Sequence, residues 1–195
     1  MKKPILVMLV GESGAGKTTF VKSMGCEENW YESSLAMVKE LKKQKKEINH
    51  DTIHELASIK YKEDPYWQVS KIIRELNKKG FLILDGPRRL KEVERLIELS
   101  PRTLIIKIST HQDKRLENLK NRDKVSLTEY NRITRDENKQ TDLDKIMDLA
   151  HLEIINDGNY ELIRKKALQM KSMIIKNAEK SVRRKRPLHD IGIKK

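Results

Sequence analysis

The chain has 195 residues, which fits one domain of ordinary size. Hydrophobic residues make up 37% of it and cluster into short runs, so the chain can bury a core. No apolar run approaches the roughly 20 residues that a membrane-spanning helix needs. The single cysteine, Cys26, excludes an internal disulfide and suits a reducing compartment. We expect a cytoplasmic protein that contacts no membrane.

The net charge of +13 favours anionic partners through its long-range field. Residues 171–195 hold nine basic and two acidic side chains, so about half of the excess lies near the C-terminus. We therefore expect residues 1–177 to form the folded domain and residues 178–195 to form a basic, solvated tail. A weak nucleic-acid contact through this tail is the alternative that the charge leaves open.

Four continuous apolar runs of strand length predict strands that are buried on both faces of a parallel sheet. The runs are Ile5–Val10, Phe81–Asp85, Thr103–Ile108 and Leu152–Asn156. Helical patterns alternate with them, at 17–25, 33–46, 51–59, 65–79, 91–99, 112–120, 127–139 and 142–150, and a last helix follows residue 158. Asp64 and Ser126 are expected helix caps, and Gly80 is an expected helix end. This alternation predicts βαβ crossovers and an α/β fold.

The first strand runs directly into a glycine-rich loop. Residues 11–18 read GESGAGKT and match G-x-x-x-x-G-K-[ST] at every fixed position. In this motif backbone N–H groups and a helix N-terminus surround phosphate oxygens, Lys17 reaches the terminal phosphates, and the Thr18 hydroxyl ligates Mg²⁺. The residues expected to hold the nucleotide are Gly11, Glu12, Ser13, Gly14, Ala15, Gly16, Lys17, Thr18 and Thr19. The spacing of the glycines excludes the G-x-G-x-x-G motif of dinucleotide-binding proteins and the nucleophile elbow of hydrolases.

A second strand, FLILD, ends at Asp85, on the edge where ligands bind in open α/β sheets. If this strand neighbours the first, Asp85 faces the Mg²⁺ beside Thr18. It could also orient the acceptor oxygen, or merely start a turn with Gly86. Arg88 and Arg89 follow at once, within reach of a phosphate on a second substrate.

The glycine loop together with LDGPR resembles the P-loop nucleotide kinases, in which adenylate kinases carry a similar D-G-[FY]-P-R segment. The later segments RLENLKNR (115–122), RDENK (135–139) and DLAHLEIINDG (148–158) are similar to dephospho-CoA kinases and to archaeal adenylate-kinase-like proteins. The resemblance covers about residues 1–175. It implies a three-layer α/β/α P-loop kinase fold with a parallel sheet of four or five strands, an acceptor-side insertion at about 29–79 and an arginine-bearing lid at about 115–135.

The resemblance also implies roles for particular residues. Catalytic roles fall to Lys17, Asp85, Arg115 and Arg122, acceptor binding to Arg88 and Arg135, and metal binding to Thr18 and Asp85. Of the two lid arginines we expect Arg122, rather than Arg115, to contact the transferred phosphate. Arg132 and Arg135 either complete the clamp or form a basic solvated face.

Two weaker patterns lie between the loop and the second acidic strand. His50 and His54 stand four residues apart, but the glutamate of H-E-x-x-H and a third ligand are missing, so we expect a polar helix face that can touch substrate. Two aromatic pairs either stack on an acceptor or pack in the core. They are Trp30-Tyr31 and Tyr66-Trp67.

The sequence thus predicts an ATP-dependent kinase that transfers the γ-phosphoryl group to a small nucleotide-like acceptor, such as a nucleoside monophosphate. The acidic D-A-D-like motif of dephospho-CoA kinases is absent between Gly25 and Ser34, which argues against dephospho-CoA as acceptor. Two alternatives stay open. One is a 5′-end polynucleotide kinase or RNA-associated ATPase, which the positive charge favours. The other is an interaction module that binds ATP without transferring phosphate.

Overall fold

The computed structural model describes residues 4–183 of the chain. The strands are β1 (Ile5–Val10), β2 (Trp30–Glu32), β3 (Phe81–Asp85), β4 (Thr103–Ser109) and β5 (Leu152–Ile155). The helices are α1 (Lys17–Met24), α2 (Ser33–Lys43), α3 (His50–Glu63), α4 (Val69–Lys79), α5 (Leu90–Leu99), α6 (Gln112–Asp123), α7 (Leu127–Gln140), α8 (Leu143–Asp148) and α9 (Tyr160–Arg183). Most of the predicted basic tail, from residue 184 onward, lies outside the described residues.

The five strands form one parallel sheet in the order β2-β3-β1-β4-β5. The four predicted strands are confirmed, but the predicted burial on both faces is wrong for β5, an edge strand in which Glu153 and Ile155 are exposed. The edge strand β2 was missed because it has only three residues, all half-buried, and so carries no continuous apolar run. Its place beside β3 decides which side chains meet at the carboxyl edge of the sheet.

The core lies on both faces of the sheet, which makes a three-layer α/β/α fold. Successive β1 side chains alternate between the two faces, so Val7 and Leu9 pack against α1 and α9 while Leu6 and Met8 pack against α4 and α5. Full burial of each such side chain contributes about 1.5–3 kcal/mol. The last helix, α9, packs one apolar face against the sheet, since four of its side chains join the first of these clusters. They are Ile163, Ala167, Met170 and Ile174.

Helix ends follow the expected capping chemistry in two of three cases. Ser126 caps α7 by accepting a hydrogen bond from the Glu129 backbone N–H at 3.2 Å, and Gly80 ends α4 in a left-handed conformation, with φ +71°. The helix predicted from Pro65 is wrong at its start. Asp64 instead accepts a bond from the Tyr66 N–H at 2.8 Å and closes a turn, so that α4 begins at Val69.

Two small clusters lie outside the main core. One joins α6 and α7 within the predicted lid, through Leu119, Tyr130 and Ile133. The other joins α2 and α3 through Met37 and Leu56. Of the region 29–79, β2 and α4 belong to the main sheet and its helical layer, whereas α2 and α3 form this separate cluster. Between residues 4 and 183 no helix is both long and apolar enough to cross a membrane.

Candidate active site

The glycine loop connects β1 to α1 at the carboxyl edge of the sheet. Gly11 has φ +144°, and a Cβ there would lie 2.2 Å from the carbonyl oxygen of Ile108 in β4. Gly16 has φ +100°, and a Cβ there would lie 2.3 Å from the side-chain nitrogen of Asn156. Glycine is therefore required at both positions, because a side chain would meet both strain and a close neighbour.

Asn156 supports this loop from the end of β5. Its buried side chain donates a hydrogen bond to the Ala15 carbonyl oxygen at 2.9 Å and accepts one from the Gly158 N–H at 3.1 Å. The sequence placed Asn156 only at the end of a strand. A polar residue that follows an apolar run at a carboxyl sheet edge was the available signal for its role.

Lys17 folds back into the loop that it follows. Its ammonium group donates hydrogen bonds to the carbonyl oxygens of Gly11 at 2.8 Å and Glu12 at 3.1 Å. Burial, followed by the nearby charge of Arg88, lowers the pKa of Lys17 to about 8. The loop therefore holds a partly desolvated cation whose interaction with an added anion would be strong.

Asp85 lies beside the glycine loop because β3 pairs with β1, with Asp85 opposite Leu9. The residue is only 4% exposed, and its Oδ1 atom has no hydrogen-bond partner among the described residues. Burial raises the pKa of this carboxyl group, although the charge of Lys17 opposes the shift. The predicted neighbourhood of the two strands is confirmed, and the turn-only alternative does not explain the unpartnered oxygen.

These donors fit Mg²⁺. Asp85 and Thr18 line the same cavity and offer a carboxylate and a hydroxyl oxygen, which are ligands that Mg²⁺ prefers. Within residues 4–183 there is no group of three or more His, Cys, Asp or Glu residues that could hold a metal unaided. Mg²⁺ commonly completes its shell with substrate phosphates and water, so a two-residue site at the phosphate loop suits it.

Glu32 is a site residue that the sequence analysis missed. It ends β2 and pairs directly with Asp85 across the β2–β3 ladder. It lines the cavity and accepts a hydrogen bond from the Ser34 hydroxyl. Its charge adds to the upward shift of the Asp85 pKa. The strand is too short to be recognised from sequence, so no local signal placed this carboxylate at the edge.

A cavity of about 660 Å³ extends from the loop to α2 and α3. Its far wall is partly apolar, with Met37, Ile53 and Ala57. Tyr61 and Gln68 complete that wall through a hydrogen-bonded network, in which Gln68 donates to the Tyr61 hydroxyl at 2.9 Å.

Tyr61 in turn donates to a Glu92 carboxylate oxygen at 3.0 Å. Burial raises the pKa of Glu92 to about 7, and the hydrogen bond from Tyr61 opposes that shift. The network fixes the ring of Tyr61, because both hydrogen-bonding roles of its hydroxyl are used.

The structure places the histidine pair and the aromatic pairs that the sequence analysis singled out. His50 and His54 stack with ring centroids 4.2 Å apart, and both line the cavity as the expected polar helix face. The aromatic pairs mainly pack: Trp30 lies against the first core cluster and Trp67 against the α2–α3 cluster. Tyr66 is exposed instead.

The predicted arginines divide into two groups. Arg88 and Arg122 line the cavity, together with Arg89, which donates to the Gln140 carbonyl oxygen at 2.9 Å. Arg115 and Arg135 are absent from the lining. The structure thus brings Arg88 and Arg122 toward Lys17, and which lid arginine contacts the transferred phosphate stays a prediction.

Arg115 is 3% exposed and holds α6 against the phosphate loop. It pairs with Glu12 and donates to the Ser13 carbonyl oxygen at 3.1 Å. Arg135 is exposed, with Asp136 at 3.7 Å. Arg132 pairs with Asp51 and so links α7 to α3, rather than forming a purely solvated face.

No protein-family profile matches the sequence, and no relative was found among curated proteins. Solved structures do match. Shikimate kinase from Acinetobacter baumannii, in complex with shikimate, has a TM-score of 0.56 and 18% identity over 90% of this chain and 96% of its own. A gluconokinase from Sinorhizobium meliloti has a TM-score of 0.55 and 13% identity over 92% of this chain and 98% of its own. Shikimate kinase from Bacteroides thetaiotaomicron has a TM-score of 0.53 and 15% identity over 88% of this chain and 98% of its own. The chain therefore has the three-layer α/β/α fold of the P-loop kinases, as predicted.

Proposed function

We propose that this protein is an ATP-dependent phosphotransferase that acts on a small acceptor. The observation that carries the proposal is the shared cavity: Lys17, Asp85 and Arg88 converge on one space of about 660 Å³ between the phosphate loop and the α2–α3 wall. That space accommodates the end of a triphosphate and a small molecule together. The kinases with the same fold support the reaction class.

Catalysis would consist mainly of positioning and charge neutralisation. An acceptor oxygen forms a bond to the γ-phosphorus while the bond to the β,γ-bridging oxygen breaks, and ADP leaves. The loop N–H groups and Lys17 hold the phosphates of ATP, Arg88 holds the acceptor, and Arg122 stabilises the equatorial oxygens of the transferred group. Thr18 and Asp85 would hold Mg²⁺, which supplies neutralisation of the charge on the phosphate chain.

A phosphate-bearing, nucleotide-like acceptor is the first candidate. Arg88 and Arg89 both line the cavity, Arg89 lies over the ring of Tyr61 in the far wall, and guanidinium groups bind phosphate well. The apolar wall at Met37 and Ile53 offers a surface for a base. A nucleoside monophosphate carries its own anionic nucleophile, so this reaction needs no general base.

A hydroxyl-bearing acceptor is the second candidate, which Glu32 favours. A hydroxyl group must lose its proton as it attacks phosphorus, and Glu32 is a carboxylate on the cavity wall beside Asp85. The kinase structures named for shikimate and gluconate support this class of acceptor, because they share the fold. The two candidates differ in what they require of Glu32.

An ADP-release screen tests the proposal. The acceptors are nucleoside monophosphates, nucleosides, shikimate, gluconate, dephospho-CoA and 5′-hydroxyl RNA, each with wild type and with Lys17→Ala as the background control. We expect acceptor-dependent turnover that Lys17→Ala reduces at least about 100-fold. ATP that stabilises the fold while no acceptor raises ADP release would indicate a binding module instead. Turnover with RNA alone that falls steeply with salt would indicate the polynucleotide enzyme.

Glu32→Gln separates the two acceptor classes. With a phosphate acceptor, kcat should stay within about threefold of wild type, because no proton has to be removed. With a hydroxyl acceptor, kcat should fall about 100-fold or more, because the carboxylate that accepts the proton is gone. Ser34→Ala is the matched control, since it removes the hydrogen bond to Glu32 and leaves the carboxylate in place.

A further inference from the structure

The lid helix α7 inserts a buried carboxylate into the phosphate loop. Glu137 is 2% exposed, and its Oε1 atom accepts hydrogen bonds from the Ser13 N–H at 3.1 Å and the Ser13 hydroxyl at 2.6 Å. The same oxygen accepts from Nη2 of Arg88 at 2.8 Å, and Nη2 of Arg115 lies 3.6 Å from Oε2. One carboxylate therefore touches the loop, the β3 side of the cavity and the other lid helix.

Glu137 is held in its charged form. Burial by itself would raise the pKa of its carboxyl group, but the charge of Arg88 and the hydrogen bonds from Ser13 outweigh burial and lower the pKa below its usual range. A buried carboxylate of this kind is tolerated only with such partners. Conversely, its loss would leave the half-buried guanidinium group of Arg88 without its carboxylate partner.

Arg88 needs an external restraint. It lies in residues 86–89, which have no regular secondary structure. Apart from Glu137, its guanidinium group donates to the Gly11 carbonyl oxygen, from Nη1 at 3.2 Å. A free arginine side chain carries about 2 kcal/mol of rotamer entropy, which ligand binding would otherwise have to offset. Glu137 removes that freedom before an acceptor arrives.

We propose that Glu137 is a positioning residue, which holds Arg88 in one orientation at the cavity and ties α7 to the phosphate loop through Ser13. The proposal rests on the proposed function, in which Arg88 binds the acceptor. Glu137 acts through Arg88 and makes no contact with the transferred group. Acceptor affinity is thereby coupled to the contact between α7 and the phosphate loop.

Glu137→Gln tests this role, because glutamine keeps the size but presents an N–H group where Arg88 needs an acceptor. We expect the acceptor KM to rise at least about tenfold while the ATP KM stays within about threefold. Glu137→Asp keeps the charge and should recover part of the loss. Glu129→Gln, an exposed carboxylate on the same helix, is the matched control and should leave both constants unchanged.

A double-mutant cycle with Arg88→Met tests whether Glu137 acts on acceptor binding through Arg88. If Glu137 acts through Arg88, Glu137→Gln should change the acceptor KM by less than about twofold once Arg88 is gone. Additive effects would overturn the proposal. A Glu137→Gln variant with a lower ATP KM and an unchanged acceptor KM would also overturn it. In that case the Glu137 carboxylate would compete with the phosphates of ATP for the loop.

A readout without turnover separates this proposal from the proposed function. Side-chain NMR spectra of the protein without ligands should contain a guanidinium signal of Arg88, which is assigned by its disappearance in Arg88→Met. In wild type we expect slowed rotation of this guanidinium group. In Glu137→Gln we expect the rotation to become fast. Wild type that is active but lacks the slowed signal overturns the role of Glu137 alone. A slowed signal in a protein inactive on every acceptor overturns the function, and with it the acceptor role of Glu137.

Discussion

Replacement of Lys17 by methionine should stabilise the fold while it abolishes function. Burial, together with the charge of Arg88, lowers the pKa of Lys17 from 10.5 to about 8. At about 1.4 kcal/mol per pKa unit, this lowering corresponds to about 3 kcal/mol at neutral pH. Because Lys17 is still partly exposed, we expect the variant to gain about 2 kcal/mol in the free energy of unfolding.

The stability gained by Lys17→Met should depend on pH, because the pKa of Lys17 differs between the folded and the unfolded chain. The unfolded chain keeps the lysine proton up to about pH 10.5, whereas the folded chain releases it near pH 8. The cost of the buried charge is therefore present at pH 7 and declines as the pH rises from 8 to 10.5. The advantage of Lys17→Met should be about 2 kcal/mol at pH 7 and below about 1 kcal/mol at pH 10.

Urea denaturation at the two pH values measures the difference, and calorimetry with ATP measures the loss of binding. Lys22→Met, at an exposed lysine on the same helix, is the control and should change stability by less than about 0.5 kcal/mol at either pH. A Lys17→Met protein that is less stable than wild type at pH 7 would refute the reasoning. An advantage that persists undiminished at pH 10 would refute it equally.

Three further substitutions test other parts of the site. Asp85→Asn should lower turnover at least about 100-fold, because it removes a metal-binding charge; ADP release at saturating Mg²⁺ that stays within about tenfold of wild type would contradict the role. Wild type should lose up to about 3 kcal/mol of stability as the pH rises from 4.5 to 7, since burial raises the pKa of Glu92 to about 7, and Glu92→Gln should remove that dependence in thermal melts at pH 5 and pH 8. Equal slopes for the two proteins would exclude Glu92 as the cause. Gly11→Ala should cost at least about 2 kcal/mol in urea denaturation, because its Cβ would lie 2.2 Å from a backbone oxygen in β4; a cost below about 0.5 kcal/mol would mean that the loop can move away.

The sequence determined the parts of this protein that local chemistry specifies. Gly11 and Lys17 belong to one contiguous motif, so their spacing alone places an anion site between a strand and a helix. Four strands were predictable because each contains a short, mostly apolar run of strand length, although only the central strand β1 is buried along its whole length. Asp85 could be placed at the ligand edge because it directly follows such a run.

Only the tertiary structure decided the rest of the site. Glu32 reaches Asp85 through the pairing of a three-residue edge strand, and Asn156 reaches Ala15 across 141 positions of the chain. Glu137 meets Ser13 from 124 positions away, on a helix whose periodic pattern predicts burial but no partner. The resemblance assigned Arg115 a catalytic role in the lid, whereas in the structure its side chain is buried against the phosphate loop. Contacts of this kind depend on strand order and helix packing, and local periodicity carries no information about which distant segments will meet.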